Sequence, residues 1–185
     1  QRTQNYTYNS NGNITVLVED SLSSLKRRHT YTYDSFGHVT SESVTGSNQT
    51  RVTTTSWPSH GRFPSSTTDE LGMQTTYSFH SVTGLLTSKV EPGNNTTSYQ
   101  YDHFGRLKKT TLPDNTIQET TYGWITGNAS VKYYVTESTS QAPAVTTYYN
   151  AAGKPVLRKT IGFNNRQVFT AYGYNSNGTT AYVSE

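Results

Sequence analysis

The chain of 185 residues contains no cysteine, so disulfides and thiolate metal sites are excluded. Apolar residues are also scarce: 31% of the sequence is hydrophobic and the mean hydropathy is −0.74. That falls short of the apolar share of an ordinary globule, which argues against a thick, compact core. No apolar run approaches the ~18 residues that a membrane-spanning helix requires. Charge is thin as well, at 15% of residues, with 15 basic against 12 acidic and a net +3. The basic residues are scattered, so nucleic acid is not implied as a partner. Helix-period stretches are missing, and Asp20 to Leu25, the nearest approach to one, reads as a loop. The sequence opens at Gln1 without Met or a signal peptide, which suggests a mature or excised fragment.

What is abundant is aromatic and β-branched. There are 15 Tyr, 6 Phe and 2 Trp, with Thr and Ser throughout. A disordered chain would be depleted in aromatics and rich in charge, whereas Thr, Tyr and Val suit a pleated, half-buried surface. The sequence is also self-similar. Tyr6-Thr-Tyr8-Asn-Ser-Asn-Gly12 aligns with Tyr31-Thr-Tyr33-Asp34-Ser-Phe-Gly37. The same frame returns at Tyr99-Gln-Tyr101-Asp102-His-Phe-Gly105 and at Tyr172-Gly-Tyr174-Asn-Ser-Asn-Gly178. Weaker copies run from Trp57 to Gly61, from Tyr77/Phe79 to Gly84 with one residue inserted, from Tyr122/Trp124 to Gly127 with one deleted, and from Tyr149 to Gly153. About eight copies thus fill residues 1–185 as one array, their glycines 21 to 26 residues apart.

Within a period, aromatics two apart share a strand face, and the residue two after the glycine is often apolar, as at Ile14, Val39, Phe63, Leu86 and Leu107. A second turn signal lies midway to the next copy, at Asp69–Gly72, Glu91–Asn94 and Leu112–Asn115. The pattern predicts two short antiparallel strands per repeat, joined by tight turns. The position after the second aromatic is Asn9, Asp34, Asp102, Asn150 or Asn175. Acid and amide interchange there, as a side-chain oxygen capping the local backbone allows and a catalytic or metal-binding charge would not. The glycine supplies a positive φ.

The run from Tyr99 to Leu107, followed by Leu112-Pro113-Asp114-Asn115-Thr116, resembles the RHS or YD repeat: Tyr-Asp, two variable residues, Gly-Arg-Leu and a Pro-Asp-Gly-like turn. Gly37-His38-Val39 and Gly12-Asn13-Ile14 keep the frame without the Arg. The resemblance implies an all-β fold in which repeated antiparallel hairpins form a curved, spiralling sheet, part of a hollow shell around a C-terminal effector. Such repeats occur in B and C components of insecticidal toxin complexes, polymorphic toxins, wall-associated proteins and teneurins. It further implies a non-enzymatic structural segment of an exported bacterial protein, secreted or at the cell surface, whose partners are the rest of the parent polypeptide and its effector. No self-cleavage motif of the family's core-associated segment is present, so proteolytic activity does not carry over.

Other chemistry is weakly signalled. Of His29, His38, His60, His80 and His103, four sit in or beside the glycine turns about one repeat or more apart, which suits turn positions better than zinc ligation. Acids such as Asp69 and Glu70 sit on surface turns, not in a cleft, so a β-helix-like polysaccharide-active enzyme is a distant alternative. No catalytic, cofactor or metal residue is assigned. A nearer alternative is a carbohydrate- or partner-binding module of the cell surface, with Trp57 and Trp124 as candidate ligand-contacting aromatics. The tyrosine pairs read chiefly as cross-strand glue. Lys26 to His29 and Arg106 to Lys109 are the densest basic clusters and read as solubilising edges. Open sheet edges predict self-association, and the seven Asn-x-Ser/Thr sequons are compositional.

Overall fold

The computed structural model describes residues 3–20, 26–46, 49–59 and 61–184. His60 and all but Asp20 of the stretch Asp20 to Leu25 lie outside the described residues. The protein is all-β, with sixteen strands among the described residues, and every paired neighbour is antiparallel. Two compact units divide it, Gln1–Thr96 and Thr97–Glu185. In the first lie β1 (Gln4–Tyr8), β2 (Ile14–Glu19), β3 (Arg27–Tyr33), β4 (Val39–Gly46), β5 (Gln49–Ser56), β6 (Ser66–Thr68), β7 (Gln74–Phe79) and β8 (Leu86–Glu91). The second holds β10 (Leu107–Thr111), β11 (Ile117–Trp124), β12 (Tyr133–Thr139), β13 (Ala142–Tyr149), β14 (Pro155–Ile161), β15 (Gln167–Tyr174) and β16 (Thr180–Ser184), and takes most of β9 (Asn95–Tyr101). The eight turn glycines separate the odd strands from the even ones, so each repeat is one hairpin.

The hairpin turn has one construction, used many times. In the Asn9, Asp34, Asp102, Asn150 and Asn175 copies, the backbone N–H of that residue donates to the carbonyl four residues on, and the glycine N–H donates back to it. A turn closed by a residue at positive φ fits the right-handed twist of the flanking strands. All eight repeat glycines adopt positive φ. At Gly127, where a side chain would meet nothing within 4 Å, that backbone conformation is the whole reason for glycine.

At six of the eight hairpins the register slips by one residue beside the turn. Tyr8 faces Ile14 while Thr7 faces Val16, which leaves Thr15 as the extra residue of a bulge. Thr40, Thr87, Lys108, Val156 and Ala181 occupy the same place in their hairpins. Such a bulge sharpens the local twist, and it sets the second aromatic opposite the residue two past the glycine.

Alternation sorts the first unit into two faces. Tyr6, Leu17, His29 and Val44 oppose one another across β1 to β4 on one face, which also carries Tyr31 and Tyr33. Val16, Thr30, Ser43 and Val52 run along the other, where Thr32 hydrogen-bonds Thr40 and Thr45 hydrogen-bonds Thr50 through their Oγ1 atoms, each at 2.9 Å. No apolar side chain among the described residues is fully buried; the buried side chains are polar, those of Ser66, Thr97, Thr110 and Thr116. A single layer of strands has two wet faces, so it holds together by ladder bonds and half-buried cross-strand pairs in place of a core.

Candidate functional site

What recurs in this fold is a junction: the seam where one repeat's turn meets the next repeat's aromatics. Its first component is the capped turn. Asp34 Oδ1 accepts from the backbone N–H of Phe36 and of His38, both at 2.9 Å. Asn9, Asp102 and Asn150 do the same to the residues two and four positions on. Asn175 departs, donating instead to Thr179 Oγ1. His80, which occupies this position in the fourth repeat, accepts from Val82 and Thr83 with Nδ1, at 3.3 and 3.2 Å. Asp69 caps the midway turn between β6 and β7 identically; its Asp-x-x-Gly spacing, the same as that of Asp34 to Gly37, was the signal for it.

These caps set carboxyl chemistry. Partial desolvation pushes the Asp34 carboxyl up, but the His38 side chain and the backbone N–H groups of His38 and Phe36 together hold it below the usual carboxylate range. Asp102 is likewise raised by desolvation and lowered further by hydrogen bonds from Arg106 and Phe104, with a net fall. Arg106 meets Asp102 through Nε and Nη2, both at 2.7 Å.

The second component is a bond between repeats. Tyr33 Oη donates to the Ile14 carbonyl at 2.5 Å, Trp57 Nε1 to the Val39 carbonyl at 2.9 Å, and Tyr174 Oη to the Pro155 carbonyl at 2.7 Å. In each case the donor stands four residues before its glycine, and the acceptor two residues after the previous glycine. A half-buried aromatic with a polar tip needs such a partner, which explains why Trp can replace Tyr here. Trp57 is therefore half-buried and engaged, while Trp124 is 79% exposed and touches Tyr133 edge-on, with centroids 5.8 Å apart. The deleted residue in its repeat accompanies a hairpin without the slipped register.

The third component is the residue just after the glycine. His38 stacks on Trp57 at 4.4 Å, Arg106 lies 3.9 Å over the Tyr122 ring, and Lys154 sits 5.0 Å over Tyr174 while donating to the Gly178 carbonyl. Phe63, one position later, fills the same space by stacking on Phe79 at 4.7 Å. Cation over ring is worth roughly 0.5–1 kcal/mol at an exposed site. The Arg of the Gly-Arg-Leu motif is thus a clasp on the following repeat, and Leu107 opposes Tyr101 across the bulge.

The remaining sequence-chosen residues fall along this seam or beside it. Tyr6 and Tyr8 are exposed on β1, their rings 6.3 Å apart, while Tyr31, Tyr99, Tyr101 and Tyr172 are half-buried within their strands. Burial, Glu42 and Tyr33 together raise the Tyr31 hydroxyl above its ordinary range, Glu42 both by its charge and by a hydrogen bond. Next to it His29 lies between two carboxylates, 3.0 Å from Glu42 and 3.8 Å from Glu19. His103 packs against Phe104 at 3.9 Å. Among the described residues, no three His, Asp or Glu side chains form a group that could hold a metal. In the second unit a cavity of about 680 Å³ lies over β10 to β15, and in its lining Lys109 pairs with Glu119 at 3.4 Å.

Two interlocks escaped the sequence reading. Gly123 and Gly173, between the paired aromatics of their repeats, lie under the rings of Tyr134 and Tyr182, where a Cβ would come within 2.2 and 2.1 Å of ring atoms. The signal was present as Tyr-Gly-Trp and Tyr-Gly-Tyr in place of Tyr-Thr-Tyr and Tyr-Gln-Tyr, but the covering residue comes from another strand.

Comparison with known proteins agrees with this geometry. Residues 80–117 match the RHS repeat family. The fold superposes on the crystal structure of TcdB2-TccC3-TEV with a TM-score of 0.61 and 14% identity, over 97% of this chain and 12% of that one. The crystal structure of TcdB2-TccC3-Cdc42 gives 0.59 over the same shares at the same identity. A Tc holotoxin pore of Photorhabdus luminescens gives 0.58 and 14% over 98% and 12%. The chain spans about an eighth of the length of those chains, so the likeness is one of fold for that stretch. Residues 80–117 thus carry the RHS repeat, and the same seam recurs in hairpins on either side of that stretch.

Proposed function

We propose that this chain is a wall segment of an RHS shell, a non-enzymatic scaffold in an exported bacterial protein that encloses or displays an effector encoded beyond the repeats. The observation that carries the reading is the seam. Its polar and aromatic side chains are consumed in joining one repeat to the next, which suits a wall and leaves few groups to form a reacting centre. Two neighbours by fold are crystal structures of TcdB2-TccC3. Partners of this chain are accordingly the remainder of its own polypeptide and the effector. The test is protease protection in the intact parent protein. A segment following the repeats should resist digestion, and should become cleavable when Tyr33→Ala and Tyr174→Ala open two junctions. A segment digested equally fast in both proteins would overturn the reading.

A carbohydrate-binding surface is the second reading, favoured by Trp124, whose exposed indole adjoins the stacked pair Tyr133 and Tyr149 at 4.8 Å. Quenching of tryptophan fluorescence by surface glycans, abolished by Trp124→Ala and not by Trp57→Phe, would support it; a flat response across a broad glycan panel would remove it.

A further inference from the structure

Charge is unevenly spread along this chain. Of its 12 acids none falls in residues 138–184, which carry the cations Lys154, Arg158, Lys159 and Arg166. Into that acid-free stretch the fold sets an exposed apolar group. Phe163 is 91% exposed, the highest value for a large apolar side chain among the described residues, and it stands on the loop between β14 and β15. That loop is closed by its own backbone: the Gly162 N–H donates to the Arg166 carbonyl at 2.7 Å, and the Arg166 N–H to the Phe163 carbonyl at 3.4 Å. Asn164 and Asn165 both adopt φ 57°, the left-handed region that asparagine enters more readily than most side chains. At the base of the loop the exposed Val168 closes on Gly162, where a Cβ would lie 2.7 Å from Val168 Cγ2. Thr160 Oγ1 donates to the Ala144 carbonyl at 3.2 Å, which draws the exposed, uncharged run Ala142, Pro143 and Ala144 alongside.

We propose that this rim docks on an anionic lipid surface, with Phe163 entering the boundary between headgroups and acyl chains and Arg166, Lys159 and Arg158 meeting the headgroup charges. Two features of the rim point to lipid. A phenyl ring has no polar atom, so what it gains on contact is apolar burial, and no other ring stacks on Phe163 among the described residues to form a sugar platform. The cations supply the second feature. Arg166 closes the loop itself, while Lys159 faces Phe169 and Arg158 faces Thr170, so the two strand cations lie on opposite faces of β14. Strands rise ~3.3 Å per residue, which starts both within roughly 15 Å of Phe163, and their long stems shorten that reach. None of the three forms an ion pair with an acid among the described residues. Apolar burial and attraction to anionic headgroups then act together, whereas a soluble polyanion would use the cations and leave the phenyl in water.

The test is co-sedimentation of the chain with vesicles of phosphatidylcholine alone, and of phosphatidylcholine and phosphatidylserine in equal parts. The chain should bind the mixed vesicles and leave the neutral ones, and binding should weaken as salt is raised. Phe163→Ala should lose affinity by about tenfold or more, as the loss of an inserted phenyl requires. Arg166→Gln should lose about fivefold, the share of one cation near an anionic surface. Both side chains are exposed, so both variants should keep the parent's melting temperature. Phe163→Trp should shift its emission to the blue on mixed vesicles, once the signal of Trp57 and Trp124 in the parent is subtracted. A chain that ignores the mixed vesicles would overturn the proposal. So would binding that Phe163→Ala leaves unchanged, or equal affinity for soluble polygalacturonate, either of which would make the rim a receptor for polyanions in general. Protection of an effector, which tests the wall, is untouched by any of these results.

Discussion

Single residues in this protein act through the turn they close. Asp34→Asn keeps the acceptor that binds Phe36 and His38, as Asn9 and Asn150 show, so its stability near pH 7 should stay within about 0.5 kcal/mol of the parent, whereas Asp34→Ala should lose about 1 kcal/mol in urea unfolding. The carboxylates also give the fold an acid dependence of defined sign. Asp34 and Asp102 titrate lower when folded than when unfolded, so each favours the fold above the unfolded carboxylate pKa of about 3.9. That contribution falls away as pH drops through the folded values, and the double variant Asp34→Asn, Asp102→Asn should flatten the fall of melting temperature with acid. A variant as acid-sensitive as the parent would exclude the caps as its source. Glycines separate backbone from packing. Gly127→Ala should cost about 1 kcal/mol for the left-handed backbone alone. Gly84→Ala should cost clearly more, because its Cβ would also come within 2.5 Å of the stacked Phe63 ring.

The hairpin is the element, and its worth lies in the bond it makes to its neighbour. Tyr33→Phe and Tyr174→Phe each remove one hydroxyl and leave a carbonyl without its donor, at about 1–2 kcal/mol in chemical denaturation. Tyr8→Phe, with no such bond among the described residues, should be neutral in the same measurement. Equal losses in all three would mean the hydroxyls contribute by solvation and not through the seam. The elements were largely legible beforehand. Tyr-x-Tyr with Asn/Asp-x-x-Gly marked four hairpin turns and weaker copies marked the others, while the midway Pro, Asp and Gly signals marked the turns after β6, β8 and β10. Less legible was what the seam positions touch. Arg106, His38 and Lys154 are a guanidinium, an imidazole and an amine, and only their shared place after glycine unites them. Trp57 and Trp124 are alike in sequence and differ in what they reach: Trp57 Nε1 donates to the Val39 carbonyl, whereas Trp124 stands exposed with its ring edge-on to Tyr133.

At the scale of the molecule, the absence of buried apolar side chains among the described residues means that stability accumulates junction by junction. Removing the last hairpin, residues 163–184, should lower both the unfolding midpoint and the denaturant slope in rough proportion to the surface no longer buried. Collapse of the entire chain on losing one hairpin would instead require a shared core. The sequence by itself determined the strand class, the period and the turns, because these follow from local chemistry: alternation sets the faces, an Asx cap closes the loop, and glycine accepts the positive φ. Tertiary structure decided the rest. The bulge residue, the tyrosine that finds a carbonyl in the preceding repeat, and the rings of Tyr134 and Tyr182 over Gly123 and Gly173 all depend on register between strands. Register is fixed only when neighbouring hairpins pair, so partners that lie within a few ångströms in space are separated along the chain by most of a repeat.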